Sequence, residues 1–193
     1  MKRLYLIIAL FITVSTLAAP KTQLKTAVFA GGCFWCMQSD FDKLKGVTKT
    51  VAGYTGGKAS TATYPIVSSG TTQHVEAVEI TYNPKHVSYR HLANYFWHHI
   101  DPTDGGGQFC DRGRQYRPVI YYNNDHQKRI DTAIKAHTSK QLNITDRVEI
   151  TKRKPFYPAE QYHQDYYKKN SLRYRYYRYR CGRDARIRNV WGR

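Results

Sequence analysis

A short, mostly apolar run from Lys25 to Ala30 meets Gly31-Gly32 and then a stretch, Cys33 to Leu44, in which Phe34, Met37, Phe41 and Leu44 recur at helical spacing. No other segment constrains the fold as tightly, because this junction reads as strand, tight turn and helix in immediate succession. The turn delivers Cys33 to the start of the helix, where unpaired N–H groups and the positive dipole end are expected to stabilise a thiolate. Bare backbone at the glycines lets a substrate approach closely. The plainer alternative is a buried apolar cysteine packed beside Phe34 and Trp35. Cys36 adds a Cys-x-x-Cys spacing that also reads as a redox dithiol or as half of a metal site. Zinc would need two more ligands, and neither Cys110, Cys181 nor the histidines form a second close pair, so no metal is expected.

Val47 to Tyr54 reads as a second strand ended by Gly56-Gly57, and a polar loop runs on to Gln73. Val75, Ala77, Val78, Ile80 and Tyr82 make a third strand, stopped by Asn83-Pro84. Ser88 is placed to cap the next helix, on which Leu92, Tyr95, Phe96 and His99 share a face. Asp101 to Gln115 is a glycine-rich loop, Val119 to Tyr122 a compact strand, Asp125 to Leu142 a helix with Ile130, Ile134 and His137 in phase, and Val148 to Ile150 a short strand. The order βαββαβ followed by αβ predicts an α/β chain of the α+β kind: a ferredoxin-like split core with a mixed sheet and helices on one face. Ala159 to Lys169 is a tyrosine-rich helix candidate, and Arg173 to Arg180 alternates Arg with Tyr. That aromatic density favours an extended C-terminal segment packed on the core over a disordered tail.

A chain of 193 residues can bury about 70% of its unfolded surface, so its four cysteines read as chemistry rather than scaffolding. Residues 1–19 differ in kind: Lys2 and Arg3, an apolar run from Leu4 to Val14, then small residues to Ala19. This pattern is that of a secretory signal peptide, with Thr16 and Ala18 favouring a cut after Ala18. The apolar run falls short of the ~20 residues of a membrane span, so no stable membrane anchor is expected. Residues 20–193 are read as one exported domain, periplasmic or secreted. The net charge of +17 is concentrated at the C-terminus, where Lys168 to Arg193 holds ten basic residues and a single acid, Asp184. A solvated basic face and a contact surface for anionic partners both fit. The interleaved Arg and Tyr could contact nucleic acid, but the export signal argues against it. GYTGGK from Gly53 lacks phosphate-loop spacing.

Five runs together, GGCFWC, VAGYTGG from Val51, HVEAVEITYNP from His74, DPTDGGGQFCDRGRQYRP from Asp101 and PFYPAEQYHQDYYKKN from Pro155, resemble peptide methionine sulfoxide reductases of the A type in order from about Thr26 to the end. The resemblance implies that Cys33 attacks the sulfoxide sulfur of methionine S-sulfoxide, free or in oxidised proteins and peptides. It implies that Glu76 protonates the departing oxygen, and that Asp111 with Tyr64, Tyr116 and Tyr166 forms the polar side of the pocket. Phe34 and Trp35 would wrap the substrate methyl group. These roles are chemically coherent: a carboxylic acid can donate near neutral pH only if its pKa is raised, and Glu76 lies in an apolar strand pattern. Loss of oxygen leaves Cys33 as a sulfenic acid that a second thiol converts to a disulfide. In the family a C-terminal cysteine commonly does so, which points to Cys181; Cys36 is the local alternative, and Cys110, beside Asp111, is a third. The resemblance further implies a monomer with no bound cofactor, recycled by an external thioredoxin-like reductant. A general dithiol-disulfide oxidoreductase using Cys33 and Cys36 is the rival reading, and it leaves Glu76, Asp111 and the tyrosines without a task.

Overall fold

The computed structural model describes residues 23–192, so the export segment at residues 1–19 lies outside the described residues. β1 (Lys25–Ala30) turns through the two glycines into α1 (Phe34–Phe41), followed by β2 (Val47–Thr55), the short α2 (Tyr64–Ser68) and β3 (Val75–Tyr82). Next come α3 (Tyr89–Trp97), a small hairpin of β4 (Gly107–Gln108) and β5 (Asp111–Arg112), β6 (Val119–Tyr122) and α4 (Asp125–Leu142). The chain closes with β7 (Glu149–Lys152), β8 (Phe156–Pro158), α5 (Tyr166–Lys169), α6 (Ser171–Arg180) and α7 (Arg183–Trp191). The main sheet is ordered β7-β6-β1-β3-β2-β8. Its central four strands, β6-β1-β3-β2, are antiparallel throughout and form the split βαββαβ core that the sequence predicts. β7 adds parallel to β6 after the α4 crossover and β8 antiparallel to β2, which makes the sheet mixed. Among the described residues no helix is long and apolar enough to cross a membrane.

Strand alternation decides which side chains meet the helices. Phe29 of β1 stacks on Phe41 of α1 and Phe96 of α3, with ring centroids 5.4 and 5.1 Å apart, and Val78, Ile80 and Tyr82 of β3 join the same core. Val75 and Ala77 point the other way, into a smaller cluster with Val28, Ala30, Val119 and Tyr121. Glu76 has the parity of Val78, so β3 carries its carboxyl to the buried, helix-covered face. Ser88 caps α3 as expected, accepting from His91 N–H at 3.1 Å, and Asn124 caps α4 in the same way.

The C-terminal third is where periodicity misleads. The helix expected over Ala159 to Lys169 shrinks to α5, because Gln164 bonds both the amide and the carbonyl of Ala52, and Gln38 accepts from the Asp165 amide at 2.9 Å. These tertiary bonds dock the stretch on β2 and leave Asp165 at φ 52. Just before it, β8 pairs with β2 at an edge position that tolerates Pro158. The period-two Arg/Tyr run would suit a strand, yet it coils as α6, which buries Tyr174, half-buries Tyr177 and Arg178, and exposes Tyr176 and Tyr179. The segment packs on the core, with Arg178 bonded to Asp40 Oδ1 at 2.8 Å and the fully buried Arg183 donating to the carbonyls of Gly31 and His99. Trp191 fastens α7 through a bond to the Ile100 carbonyl.

Both glycines of the first turn are required by contact. A Cβ on Gly31 would lie 2.8 Å from Ile100 and Met37, and Gly32 sits at φ +83 with Gln108 Cβ 2.7 Å from where its own Cβ would be. Gln108 cannot yield readily, since its amide is buried and bonded to Asp101 and Asp104. Gly32→Ala should therefore lower stability in urea unfolding by at least ~1–3 kcal/mol, the usual cost of a forced backbone conformation. An unchanged unfolding midpoint would contradict this account of the turn.

Candidate active site

Cys33 is the N-cap residue of α1, and the first free amide of that helix, Phe34 N–H, donates to Glu76 Oε2 at 2.9 Å. The helix terminus thus holds the carboxyl group of β3 rather than the thiol. Glu76 is 3% exposed, and burial pushes its pKa up to about 8 against the opposing pull of the Phe34 amide, with nearby Asp111 adding to the rise. At neutral pH it is mostly protonated.

Cys33 and Cys36 are both free and buried, and they hydrogen-bond to each other. Burial first, then the bond to Cys36 and the closeness of the acidic groups of Cys36, Glu76 and Asp111, raise the Cys33 thiol well above its ordinary value. Cys36 is shifted down, by the bond from Cys33 and by the Arg183 and Arg178 guanidinium groups, which outweigh its own burial. The expectation of a thiolate on Cys33 is corrected accordingly. The Phe34 amide, the nearest helix-terminal donor, is given to Glu76 rather than to the Cys33 sulfur.

A cavity of about 90 Å³ is lined by Cys33, Phe34, Trp35, Tyr64, Glu76, Asp111, Tyr116 and Tyr177. It is small enough to admit the end of one side chain. Tyr177 O–H donates to Asp111 Oδ2 at 2.6 Å. Burial raises the phenols of Tyr64, Tyr116 and Tyr177, so all three keep their protons and serve as neutral donors. Tyr166, expected on the polar wall, instead stacks on the face of Trp35 with centroids 3.8 Å apart, behind the lining. Tyr177 supplies the third phenol, and the sequence reading missed it because its phase is visible only once the Arg/Tyr run is known to be helical. His163 was missed as well. It is 1% exposed, its ring lies among Phe34, Trp35 and Tyr64, and its Nδ1 accepts from Trp35 Nε1–H at 3.0 Å. Burial lowers its pKa, which keeps it neutral and able to accept that bond. Its only signal in the sequence was its place in the run from Pro155.

Cys110 and Cys181 form a disulfide. Cys181, which the resemblance assigns to Cys33, is therefore not a free thiol in this state, and the thiol beside Cys33 is Cys36. Cys110 lies exposed at the tip of the β4–β5 hairpin, next to Phe109 at φ 57, and Cys181 Sγ is 3.9 Å from Asp111 Oδ2. Cys110, Asp111 and Cys181 are close enough together to hold a metal ion, but the disulfide takes both sulfurs out of thiolate form, and thiolate is what binds metal.

Residues 25–193 match the family described as "Peptide methionine sulfoxide reductase". The chain is 48% identical over 181 residues to "Peptide methionine sulfoxide reductase MsrA 2" of Caulobacter vibrioides, covering 93% of this chain and 91% of that protein. It is 45% identical over 181 residues to "Peptide methionine sulfoxide reductase MsrA/MsrB" of Vibrio cholerae, where 92% of this chain spans 48% of the longer relative. Among solved structures, reduced Mxr1 from Saccharomyces cerevisiae is similar with TM-score 0.74 and 29% identity, covering 81% of this chain and 91% of that one. Methionine sulfoxide reductase A of Corynebacterium diphtheriae is similar with TM-score 0.70 and 28% identity, covering 79% and 78%.

Proposed function

The chain belongs to the peptide methionine sulfoxide reductase family, and from that premise we propose that it reduces methionine S-sulfoxide, free and in oxidised proteins, to methionine with a thioredoxin-like dithiol as final donor. The observation that carries this reading is a buried Glu76, its pKa pushed up to about 8, lining the same small cavity as Cys33. In the proposed chemistry the Cys33 sulfur attacks the sulfoxide, and its proton has Cys36 as the nearest acceptor. The sulfoxide oxygen, protonated by Glu76, is transferred to Cys33. Methionine leaves, and Cys33 becomes a sulfenic acid. Tyr64 and Tyr116 donate to that oxygen without adding charge, Tyr177 gives its own O–H to Asp111 and walls the pocket, and Phe34 and Trp35 take the methyl group. Cys36 then attacks the Cys33 sulfenic acid, forming their disulfide and releasing water. Tyr166 and His163 act through Trp35, one by stacking on it and one by the bond to Nε1.

The rival dithiol oxidoreductase is disfavoured by access as well as by its unused residues. Cys33 and Cys36 are 6% and 1% exposed, too little for a protein disulfide to reach. With a small dithiol as reductant, the S-sulfoxide of a blocked methionine should turn over and the R-sulfoxide should not. Glu76→Gln should lower kcat by about 10²–10⁴, the usual contribution of a positioned acid. Equal turnover of both epimers, or full activity without the carboxyl, would overturn the assignment.

We further propose that the enzyme works as a monomer outside the cytoplasm. The export reading rests on the basic, apolar and small-residue succession of residues 1–19. The protein recovered from a periplasmic fraction should begin at Ala19. Recovery only from the cytoplasm with Met1 intact would count against export.

A further inference from the structure

α6 turns Tyr174, Tyr177 and Arg178 toward the core, and its opposite face is left bare. Leu172, Tyr176 and Tyr179 are 74%, 68% and 81% exposed, and at 3.6 residues per turn they fall within about 60° of one another around the helix. The exposed Arg175 flanks that stripe on one side, and the exposed Arg173 and Arg180 flank it on the other. Beside the stripe, a cleft of about 240 Å³ between α6 and α7 is lined by Arg175, Tyr179 and Arg188. Asp184, the acid among its lining residues, is answered by Arg178, whose Nε and Nη2 donate to Oδ1 at 3.0 and 2.6 Å. The face is apolar along its middle and cationic along both edges, and no residue of the sulfoxide chemistry lies on it.

Three kinds of anionic partner match such a face by charge, and size and chemistry separate them. A helix of ten residues is about 15 Å long, and one side of it offers far less than the ~800 Å² per partner of a stable protein interface. Leu172 gives a nucleic acid neither a stacking plane nor a hydrogen bond. An anionic bilayer uses the whole face, because apolar and aromatic side chains enter the headgroup layer while the arginines beside them meet lipid phosphates. We propose that the outer face of α6, with Arg188 of α7, is a docking surface that holds the protein reversibly against an anionic lipid surface. Leu172, Tyr176 and Tyr179 sit in the headgroup layer, and the flanking arginines pair with its phosphates. Tyr177, on the inward side of the same helix, lines the Cys33 cavity, so the docked face and the substrate cavity are different sides of α6. The contact is peripheral, and it stands whether or not the pocket reduces sulfoxides.

Co-sedimentation of the full chain with lipid vesicles reads the contact. Vesicles of phosphatidylglycerol mixed into phosphatidylcholine should bind the wild type at low salt, and vesicles of phosphatidylcholine alone should bind it far less. The triple variant Arg173→Gln, Arg175→Gln and Arg180→Gln should bind the mixed vesicles about 100-fold more weakly, at roughly fivefold per basic residue near such a surface. The double variant Tyr176→Ser and Tyr179→Ser, which leaves every charge in place, should lose about tenfold. All five positions are exposed, so the fold is kept, and residues 1–19 are common to the three proteins, so the differences read α6 alone. Equal binding to the two kinds of vesicle, or binding that either variant leaves unchanged, would overturn the docking surface. Retention on a single-stranded oligonucleotide or an acidic polypeptide, without binding to the mixed vesicles, would also overturn it and assign the face to that partner.

Discussion

The hydrogen bond from Phe34 N–H to Glu76 Oε2 joins the two elements on which the site depends, the first turn of α1 and the inward face of β3. It supplies one favourable contact to a carboxyl group that is otherwise out of water, and burying a carboxylate with so little compensation favours the protonated form. Everything around it is consistent with a proton being kept there. The phenols of Tyr64, Tyr116 and Tyr177 hold their protons, and Cys33, facing Glu76 and Asp111, holds its own. The neighbouring Cys36 is shifted the other way, down, by its bond from Cys33 and by the Arg183 and Arg178 guanidinium groups.

The C-terminal segment therefore has three tasks. Arg178 and Arg183 anchor it to Asp40 and to the backbone of the first turn, Tyr177 lines the cavity, and Cys181 reaches the pocket hairpin. The basic charge crowded into that segment is only partly a solvated face. Arg178 and Arg183 are spent inside, where breaking an ion pair is costly, whereas Arg173, Arg175 and Arg180 remain exposed.

The strands, helices and central topology were legible because hydrophobic periodicity and glycine turns report on local structure that the tertiary fold does not override. Cys33, Glu76, Asp111, Tyr64 and Tyr116 were placed by resemblance, and the structure brings them to one cavity. What was illegible depended on long-range contacts. Gln164 and Gln38 convert an expected helix into a docked loop, and the phase of Tyr177 and Cys181 follows from α6, which the Arg/Tyr alternation disguises. The thiolate expected at Cys33 was misplaced for a related reason: a helix N-terminus favours an anion, but sequence does not show that burial and the bond to Cys36 push the Cys33 thiol up.

The account turns on a proton held by Glu76. Since burial raises that carboxyl to about 8, the acid form needed for catalysis is present below that pH and lost above it. The decisive measurement is kcat/KM for a methionine S-sulfoxide from pH 6 to 10, for the wild type and Glu76→Gln side by side. The account predicts a descending limb near pH 8 in the wild type that disappears in the variant. A wild-type profile that stays level or rises through pH 9, parallel to that of the variant, would contradict it.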